Sequence, residues 1–162
     1  MSEASLEETL YLDVPAGRVT IELRPDLAPN HVARIKELAR EGFYDGIAFH
    51  RVIAGFMAQT GDPRGDGTGG SGKKLKAEFS DEPHVRGTCS MARTANPDSA
   101  DSQFFICLAD APWLDGQYTI WGKVVSGMEF VDQIAKGEGE GGIVPEDRRD
   151  KIIKMQVAAD AH

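Results

Sequence analysis

Cysteine and long apolar runs are both scarce in this chain of 162 residues, and each scarcity excludes a class of protein. Two cysteines, Cys89 and Cys107, cannot build the disulfide framework of a small secreted domain, so we expect buried, reduced thiols. No apolar stretch approaches the roughly 20 residues of a membrane-spanning helix. The four histidines are not spaced as metal ligands, so we expect no metal site.

Positive charge is also in short supply. Lys and Arg number 18 against 26 Asp and Glu, a net charge of −8, which argues against a nucleic-acid partner because phosphate binding needs clustered cations. The first ten residues, MSEASLEETL, contain no basic region followed by an apolar run. We therefore expect no signal peptide, a cytoplasmic location, no membrane partner and a monomer.

The hydrophobic pattern predicts many short strands and two helices. Thr9–Val14 and residues 18–23 alternate around a turn at 15–17, which indicates a hairpin. An amphipathic helix is predicted from Pro29 to the stop signal at Gly42, and a second over 128–136. Further strands are predicted at 47–53, 56–59, 88–92, 103–108, 118–125 and 151–158. This pattern, without linkers or repeats, favours one domain over 1–162, mainly β, built as an antiparallel barrel or sandwich with helices outside.

Arg51 and Gln59 stand among apolar residues in the stretch that begins at Phe49, FHRVIAGFMAQTGD. Burying Arg51 or Gln59 is costly unless each has a partner. Strand alternation predicts that Phe49 and Arg51 share one face, and that Met57 and Gln59 share a face opposite Phe56. One interpretation is that Arg51 pairs with a carboxylate and merely ties strands together.

A glycine-rich loop follows, with six glycines among the thirteen residues 61–73. It nearly matches two nucleotide-binding patterns, G-x-G-x-x-G at 65–70 and G-x-x-x-x-G-K at 67–73. The second fails at Lys74, where a magnesium-binding Ser or Thr is required, and neither has the strand and helix that such loops need. Nucleotide binding through this loop is therefore a disfavoured alternative.

Five sequence blocks taken together resemble the cyclophilin family of peptidyl-prolyl cis-trans isomerases. They are FHRVIAGFMAQTGD, GTGG, SMAR, SQFFI and WLDGQYTIWGKV, and the likeness extends from about Leu6 to Ala159. The resemblance implies a closed eight-stranded antiparallel β-barrel capped by two α-helices. It also implies no cofactor, and a substrate groove on the outer wall of the barrel.

The resemblance also implies roles for individual residues. Arg51, Gln59 and Phe105 fall on catalytic positions, with Arg51 as the catalytic arginine and Gln59 near the substrate carbonyl. The remaining substrate-binding positions are those of the proline pocket (Phe56, Met57, Leu114), the groove for residues preceding proline (Ala92, Arg93, Gln103), and the cyclosporin-associated rim (Trp113, Tyr118). Arg93 and Tyr118 stand where the best-known eukaryotic members have asparagine and histidine, which looks like the bacterial branch and leaves cyclosporin affinity open.

The residue types suit rotation about an X–Pro bond, whose barrier of about 18–20 kcal/mol comes from amide resonance. No bond is made or broken, so a donor that binds the twisted amide more strongly than the planar one is sufficient. Arginine stays protonated and presents a rigid set of donors. We therefore expect the partners to be proline-containing peptides and unfolded or folding proteins. The alternative is a non-catalytic proline-binding or chaperone module, which would need only the apolar pocket.

Overall fold

Eight antiparallel strands form one continuous sheet in the computed structural model, which describes residues 6–139 and 141–161. The strands are β1 (Thr9–Val14), β2 (Gly17–Leu23), β3 (Arg51–Ile53), β4 (Met57–Thr60), β5 (Thr88–Met91), β6 (Phe104–Cys107), β7 (Ile120–Ser126) and β8 (Lys154–Val157). Their order across the sheet is β3-β4-β6-β5-β7-β2-β1-β8. Two helices, α1 (Pro29–Arg40) and α2 (Met128–Asp132), accompany the sheet.

The sheet curls into a half-barrel, so the prediction of a closed barrel is wrong. Within the described residues, β3 and β8 stand at opposite ends of the strand order and are not paired with each other. The segments before them meet through single contacts, the bridge of Ala48 with Lys151 and hydrogen bonds such as Phe49 N to Asp150 O at 2.9 Å. The edges approach one another without forming a ladder.

The same segments explain why two predicted strands are too long. The stretches predicted at 47–53 and 151–158 contract to β3 and β8. Among the described residues before Arg51, only the isolated bridge of Ala48 with Lys151 pairs this segment with a neighbouring one, so β3 begins at Arg51.

The predicted N-terminal hairpin and first helix are confirmed. Val14 pairs with Gly17 across the Pro15–Ala16 turn, as the sequence predicts. Helix α1 begins at Pro29, where a missing N–H costs nothing, and buries its apolar stripe against the sheet. Gly42 adopts a φ of +73°, the left-handed conformation that commonly follows a helix.

Helix α2 is shorter than the predicted 128–136. It ends at Asp132, because the backbone N–H of Ala135 donates to the Asp150 carboxylate at 2.7 Å rather than continuing the helix. The Lys136 ammonium donates to the carbonyls of Asp132 and Ile134, which satisfies acceptors at the helix end. The apolar Ile134 nevertheless stays buried, as its spacing predicts.

Two apolar clusters lie on opposite faces of the sheet. The inner cluster fills the half-barrel and includes its largest buried side chains: Trp121, Tyr44, Phe49 and Phe104. The outer cluster is much smaller and consists of Met57, Phe105, Cys107, Ala111 and Leu114, with Ile53, Phe56, Ala92 and Tyr118 packed against it. Among the described residues, no helix is long and apolar enough to cross a membrane.

Candidate active site

One row of cross-strand neighbours brings the central site residues together. Arg51 of β3 pairs with Gln59 of β4, Gln59 pairs with Phe105 of β6, and Phe105 pairs with Ser90 of β5. Paired residues project to the same face of a sheet, so this register places the four side chains side by side. The intervening residues, such as Val52 and Ala58, belong to the inner cluster.

The next outward-facing row supplies an apolar hollow. Met57 pairs with Cys107, and both belong to the outer cluster with Leu114, which lies in a short 3₁₀ turn at Pro112–Leu114. The resulting cavity of about 120 Å³ is lined by Arg51, Phe56, Met57, Gln59, Ala92, Arg93, Phe105, Leu114 and Tyr118. These are nine of the eleven residues that the sequence singled out. Gln103 and Trp113 lie beside the cavity.

Two predictions about strand faces are wrong. Phe56 lies on the same side as Met57, because it belongs to the turn before β4, where strand alternation does not apply. Its ring contacts Trp113, with ring centroids 5.5 Å apart, and Trp113 forms a rim that is 60% exposed. Phe49 does not share the face of Arg51, because its side chain lies wholly in the inner cluster.

Arg51 is held by neutral acceptors. Its Nε donates to the Gly141 carbonyl at 2.8 Å and its Nη1 to the Gln59 side-chain oxygen at 3.3 Å. Among the residues that the structure describes, no carboxylate pairs with Arg51, which argues against the interpretation as a strand-tying ion pair. Both acceptors are uncharged, and Nη2 keeps donors that no described protein group accepts.

A relay of amides fixes the orientation of Gln59. The Gln103 amide nitrogen donates to the carbonyls of Gly67 and Gly69, at 3.0 and 2.9 Å, and a carbonyl can only accept. The Gln103 oxygen must therefore accept from the Gln59 nitrogen, 2.9 Å away. That bond leaves the Gln59 oxygen facing Arg51. The carbonyls of the glycine loop thus determine the direction of every hydrogen bond in this relay, from Gln103 through Gln59 to Arg51.

The same loop borders a second cavity, of about 270 Å³, that continues from the first past Ala92 and Gln103. The backbone N–H groups that would hold a phosphate are occupied by carboxylates of the chain itself. Gly67 N donates to Asp62 at 2.6 Å, and Gly72 N donates to Asp101 at 3.1 Å. This arrangement argues against the nucleotide-binding alternative.

The Arg93 side chain forms part of the site wall. Its guanidinium carbon lies 4.7 Å from the Tyr118 ring centroid, and its Nε and Nη2 donate to the Gln117 carbonyl. Within the described part of the chain, no group accepts from the backbone N–H of Arg93. Arg93 thus lines both cavities, with two of its side-chain nitrogens bound to the Gln117 carbonyl.

His84 supports the floor of the cavity, and sequence reasoning missed it. Its ring stacks on Phe105 with centroids 6.2 Å apart and planes 18° apart. Its Nδ1 lies 3.2 Å from an Asp115 carboxylate oxygen and its Nε2 lies 3.0 Å from the Ser90 hydroxyl. Burial lowers the pKa of His84 below its usual 6.5, although Asp115 acts in the opposite direction. The only sequence signal was a histidine beside a proline, which has no fixed meaning.

The described residues contain no group of three or more His, Cys, Asp or Glu side chains placed to hold a metal ion. Both cysteines are free and buried, as predicted. Burial raises the pKa of the Cys107 thiol to about 12, so it is not a nucleophile at neutral pH.

Comparison with known proteins identifies relatives along nearly the whole chain. Residues 9–157 match the family model described as cyclophilin type peptidyl-prolyl cis-trans isomerase/CLD. A Brucella suis protein named "Probable peptidyl-prolyl cis-trans isomerase" is 58% identical over 172 residues, covering 98% of this chain and 87% of its own length. Peptidyl-prolyl cis-trans isomerase B of Bacillus subtilis is 47% identical over 130 residues, covering 79% of this chain and 90% of its own.

Solved structures of other proteins share the fold of this chain. A cyclophilin from Hirschia baltica superposes with a TM-score of 0.85 at 27% identity, covering 97% of this chain and 76% of its own. A Cryptosporidium parvum cyclophilin type isomerase, crystallised in the presence of the dipeptide Ala-Pro, superposes with a TM-score of 0.83 at 27% identity. That comparison covers 92% of this chain and 98% of the other.

Proposed function

Because this chain belongs to the family of cyclophilin type peptidyl-prolyl cis-trans isomerases, we propose that Arg51 accelerates rotation about X–Pro bonds by donating a hydrogen bond to the prolyl nitrogen of the twisted amide. The observation that carries this proposal is a charged guanidinium with unused donors at the wall of an apolar hollow. Membership of the family makes the chain an isomerase, and what is proposed is the role of each residue in the reaction.

The transition state differs from both isomers at one atom. In the planar amide the nitrogen lone pair is delocalised, whereas in the twisted amide it is localised and becomes a better hydrogen-bond acceptor. A donor fixed beside that nitrogen therefore binds the transition state more tightly than either ground state, which is the condition for catalysis. Lowering the barrier by about 7 kcal/mol corresponds to roughly a 10⁵-fold acceleration.

The apolar hollow would seat the proline ring. Phe56, Met57, Phe105 and Leu114 present aromatic and aliphatic groups to a cavity of about 120 Å³. Excluding water from this hollow strengthens the hydrogen bond from Arg51, because charges interact more strongly at low dielectric constant. The Cryptosporidium parvum relative crystallised with Ala-Pro supports a proline-containing ligand for this chain.

The polar groups beside the hollow would hold the rest of the peptide. In this proposal the backbone N–H of Arg93 and the amide of Gln59 bind the carbonyl on the rotating side, and the 270 Å³ cavity beyond Ala92 and Gln103 takes residues that precede proline. Trp113 and Tyr118 form the rim on which a cyclosporin-type macrocycle would rest. We propose unfolded and folding proteins as the physiological partners, since their X–Pro bonds are exposed.

The test is turnover of a short X–Pro peptide by Arg51→Ala, measured by NMR exchange spectroscopy. We expect a loss of roughly 10²–10³-fold in kcat/KM, the usual cost of removing a preorganised transition-state donor. Arg64→Ala is the matched control, because Arg64 is an exposed arginine whose side chain makes no hydrogen bond to the described residues. Undiminished turnover in Arg51→Ala would remove Arg51 from the mechanism. Peptide binding by the unmodified protein without exchange would instead indicate the non-catalytic proline-binding module.

A further inference from the structure

A glycine hairpin, defined as Gly137–Gly139 together with Gly141–Ile143, lies against the strand that carries Arg51. We propose that this hairpin is a positioning element, in which the Gly141 carbonyl holds the Arg51 guanidinium in the orientation that faces the substrate. The inference rests on the proposed role of Arg51 and adds a part of the chain that is 90 residues away in sequence.

Two acceptors on different nitrogens determine how the guanidinium plane lies. Nε donates to Gly141 O at 2.8 Å on one side, and Nη1 donates to the Gln59 oxygen at 3.3 Å on the other. A planar group held at two of its edges cannot rotate about its last side-chain bonds, so the direction of Nη2 is fixed. Both acceptors are neutral. A carboxylate would also orient the group, but it would offset the charge that the twisted amide is proposed to use.

The backbone attaches the hairpin to β3 on both sides of Arg51. Val52 N donates to Gly142 O and Gly137 N donates to Val52 O, each at 2.8 Å. On the preceding side, Val144 N donates to His50 O at 3.0 Å. Because these bonds flank residue 51, the distance between the Gly141 carbonyl and the base of the Arg51 side chain is set by main-chain geometry.

This close approach requires glycine at specific positions. Gly142 has a φ of +66°, and a Cβ atom there would lie 2.4 Å from Ile53 Cγ1 and 3.1 Å from Val52 O. Gly139 has nearly the same φ of +70°, but a Cβ atom there would meet no described atom within 4 Å. Alanine at either position carries the same backbone strain. Of the two, only alanine at 142 would press against β3, at the Ile53 side chain and the Val52 carbonyl.

The experiment compares Gly142→Ala with its matched control Gly139→Ala on a short X–Pro peptide. We expect Gly142→Ala to lower kcat by about tenfold with little change in KM, because the atoms that the added Cβ would meet belong to Val52 and Ile53, which do not line the cavity. Gly139→Ala adds the same backbone strain without the close contact, so its effect on kcat should be clearly smaller. The ¹H–¹⁵N resonance of Arg51 Nε–H should move further in the first variant than in the second. Equal kinetics in the two variants would overturn the inference.

A double mutant separates positioning from a general loss of structure. In the Arg51→Lys background the side chain has no Nε–H group to place against Gly141, so adding Gly142→Ala should cost nothing further. An unchanged tenfold effect in that background would show that the hairpin acts otherwise than through Arg51. If Arg51→Ala keeps full activity, the proposed function fails. If Arg51→Ala is inactive while Gly142→Ala behaves like Gly139→Ala, only the inference about the hairpin fails.

The unmodified enzyme provides a measurement that does not depend on a variant folding. The Nε–H proton of Arg51 should exchange with solvent more slowly than that of Arg64, which is exposed and has no side-chain acceptor among the described residues. Exchange as fast as that of Arg64 would show that the Gly141 carbonyl does not hold the side chain in solution, and would overturn the inference.

Discussion

Phe104 and Phe105 are consecutive residues of β6, yet they belong to different regions of the molecule. Phe104 is 0% exposed in the inner cluster, where it makes edge-to-face contacts with Tyr44 and Trp121 at 5.5 and 5.2 Å. Phe105 is 5% exposed in the outer cluster, where His84 and Tyr118 surround it beneath an open cavity. Two side chains of the same type thus have different roles, Phe104 in core packing and Phe105 at the candidate site.

The difference shows how one sheet separates stability from function. The inner face is predominantly apolar and closed to solvent, so its side chains are fixed by one another. The outer cluster is small and is bordered by Arg51, Gln59 and Arg93, whose hydrogen-bonding groups remain available to a ligand. Substitutions on the inner face should therefore alter the free energy of unfolding, and substitutions on the outer face should alter turnover.

The largest expected effect comes from replacing either phenylalanine by alanine. Phe104→Ala should lower the free energy of unfolding by about 3–5 kcal/mol, the usual cost of removing a large core side chain. Phe105→Ala should cost only about 1–2 kcal/mol, because solvent and neighbouring side chains can fill the space. It should instead lower kcat/KM by roughly 30-fold, which corresponds to about 2 kcal/mol of lost contact with the proline ring.

Urea denaturation and NMR exchange on the two variants would check this pair, with turnover measured at a temperature where both are folded. The comparison fails if the variants lose equal stability. It fails equally if folded Phe104→Ala loses more activity than Phe105→Ala.

A smaller effect is expected from pH, because His84 lies directly beneath Phe105. Its pKa is lowered by burial in the folded protein, whereas in the unfolded chain it stays near 6.5. As the pH falls below 6.5 the unfolded state takes up the proton first, so the free energy of unfolding is complete above 6.5 and decreases below it. Turnover should be flat from about pH 8 down to about 6.5 and then decrease as His84 in the folded protein is protonated.

The variant His84→Gln tests that assignment, since glutamine can hydrogen-bond but does not titrate. Its turnover on a neutral peptide should be lower than that of the unmodified enzyme near pH 7, because the stacked ring is lost, and its acidic decline should be absent. If turnover declines identically at acidic pH in the two proteins, the titrating group is not His84. His50, whose pKa is also lowered by burial, is the first to examine in that case.

Alternation and turn residues were sufficient to predict the regular parts of the fold. The β1–β2 hairpin and α1 follow from local patterns, since every second or every third to fourth residue faces the inner cluster. The strands at the two edges of the half-barrel were overestimated, because the apolar pattern continues into segments that pair with each other only at the isolated bridge of Ala48 with Lys151. Whether a barrel closes depends on contacts between distant edges, which no local pattern records.

The site was predictable only where a side chain carried the signal. The sequence blocks identified Arg51 and the lining of the pocket, and nine of those residues surround one cavity. Gly141 was missed because it contributes a backbone carbonyl, an atom that every residue possesses. His84 was missed because its contact with Phe105 joins residues that are distant in the sequence. The face of Phe56 was wrong because a turn, not a strand, orients it.

The smallest expected effect, and the finest comparison of the two faces, comes from the cysteines. Cys89 belongs to the inner cluster and Cys107 to the outer one, and burial raises the pKa of both thiols. Reaction with a maleimide therefore requires the protein to open, and the outer cluster should open locally at a lower free energy than the whole half-barrel.

We expect peptide mapping by mass spectrometry under native conditions to show Cys107 modified before Cys89, with Cys89 reacting at the rate of global unfolding. Addition of an X–Pro peptide should slow the reaction of Cys107, because the ligand covers the outer cluster, and should also slow Cys89, because a ligand of the folded state opposes global unfolding. Modification of both thiols at one common rate would mean that the two faces unfold as a single unit. The two faces would then differ in their side chains but not in their local stability.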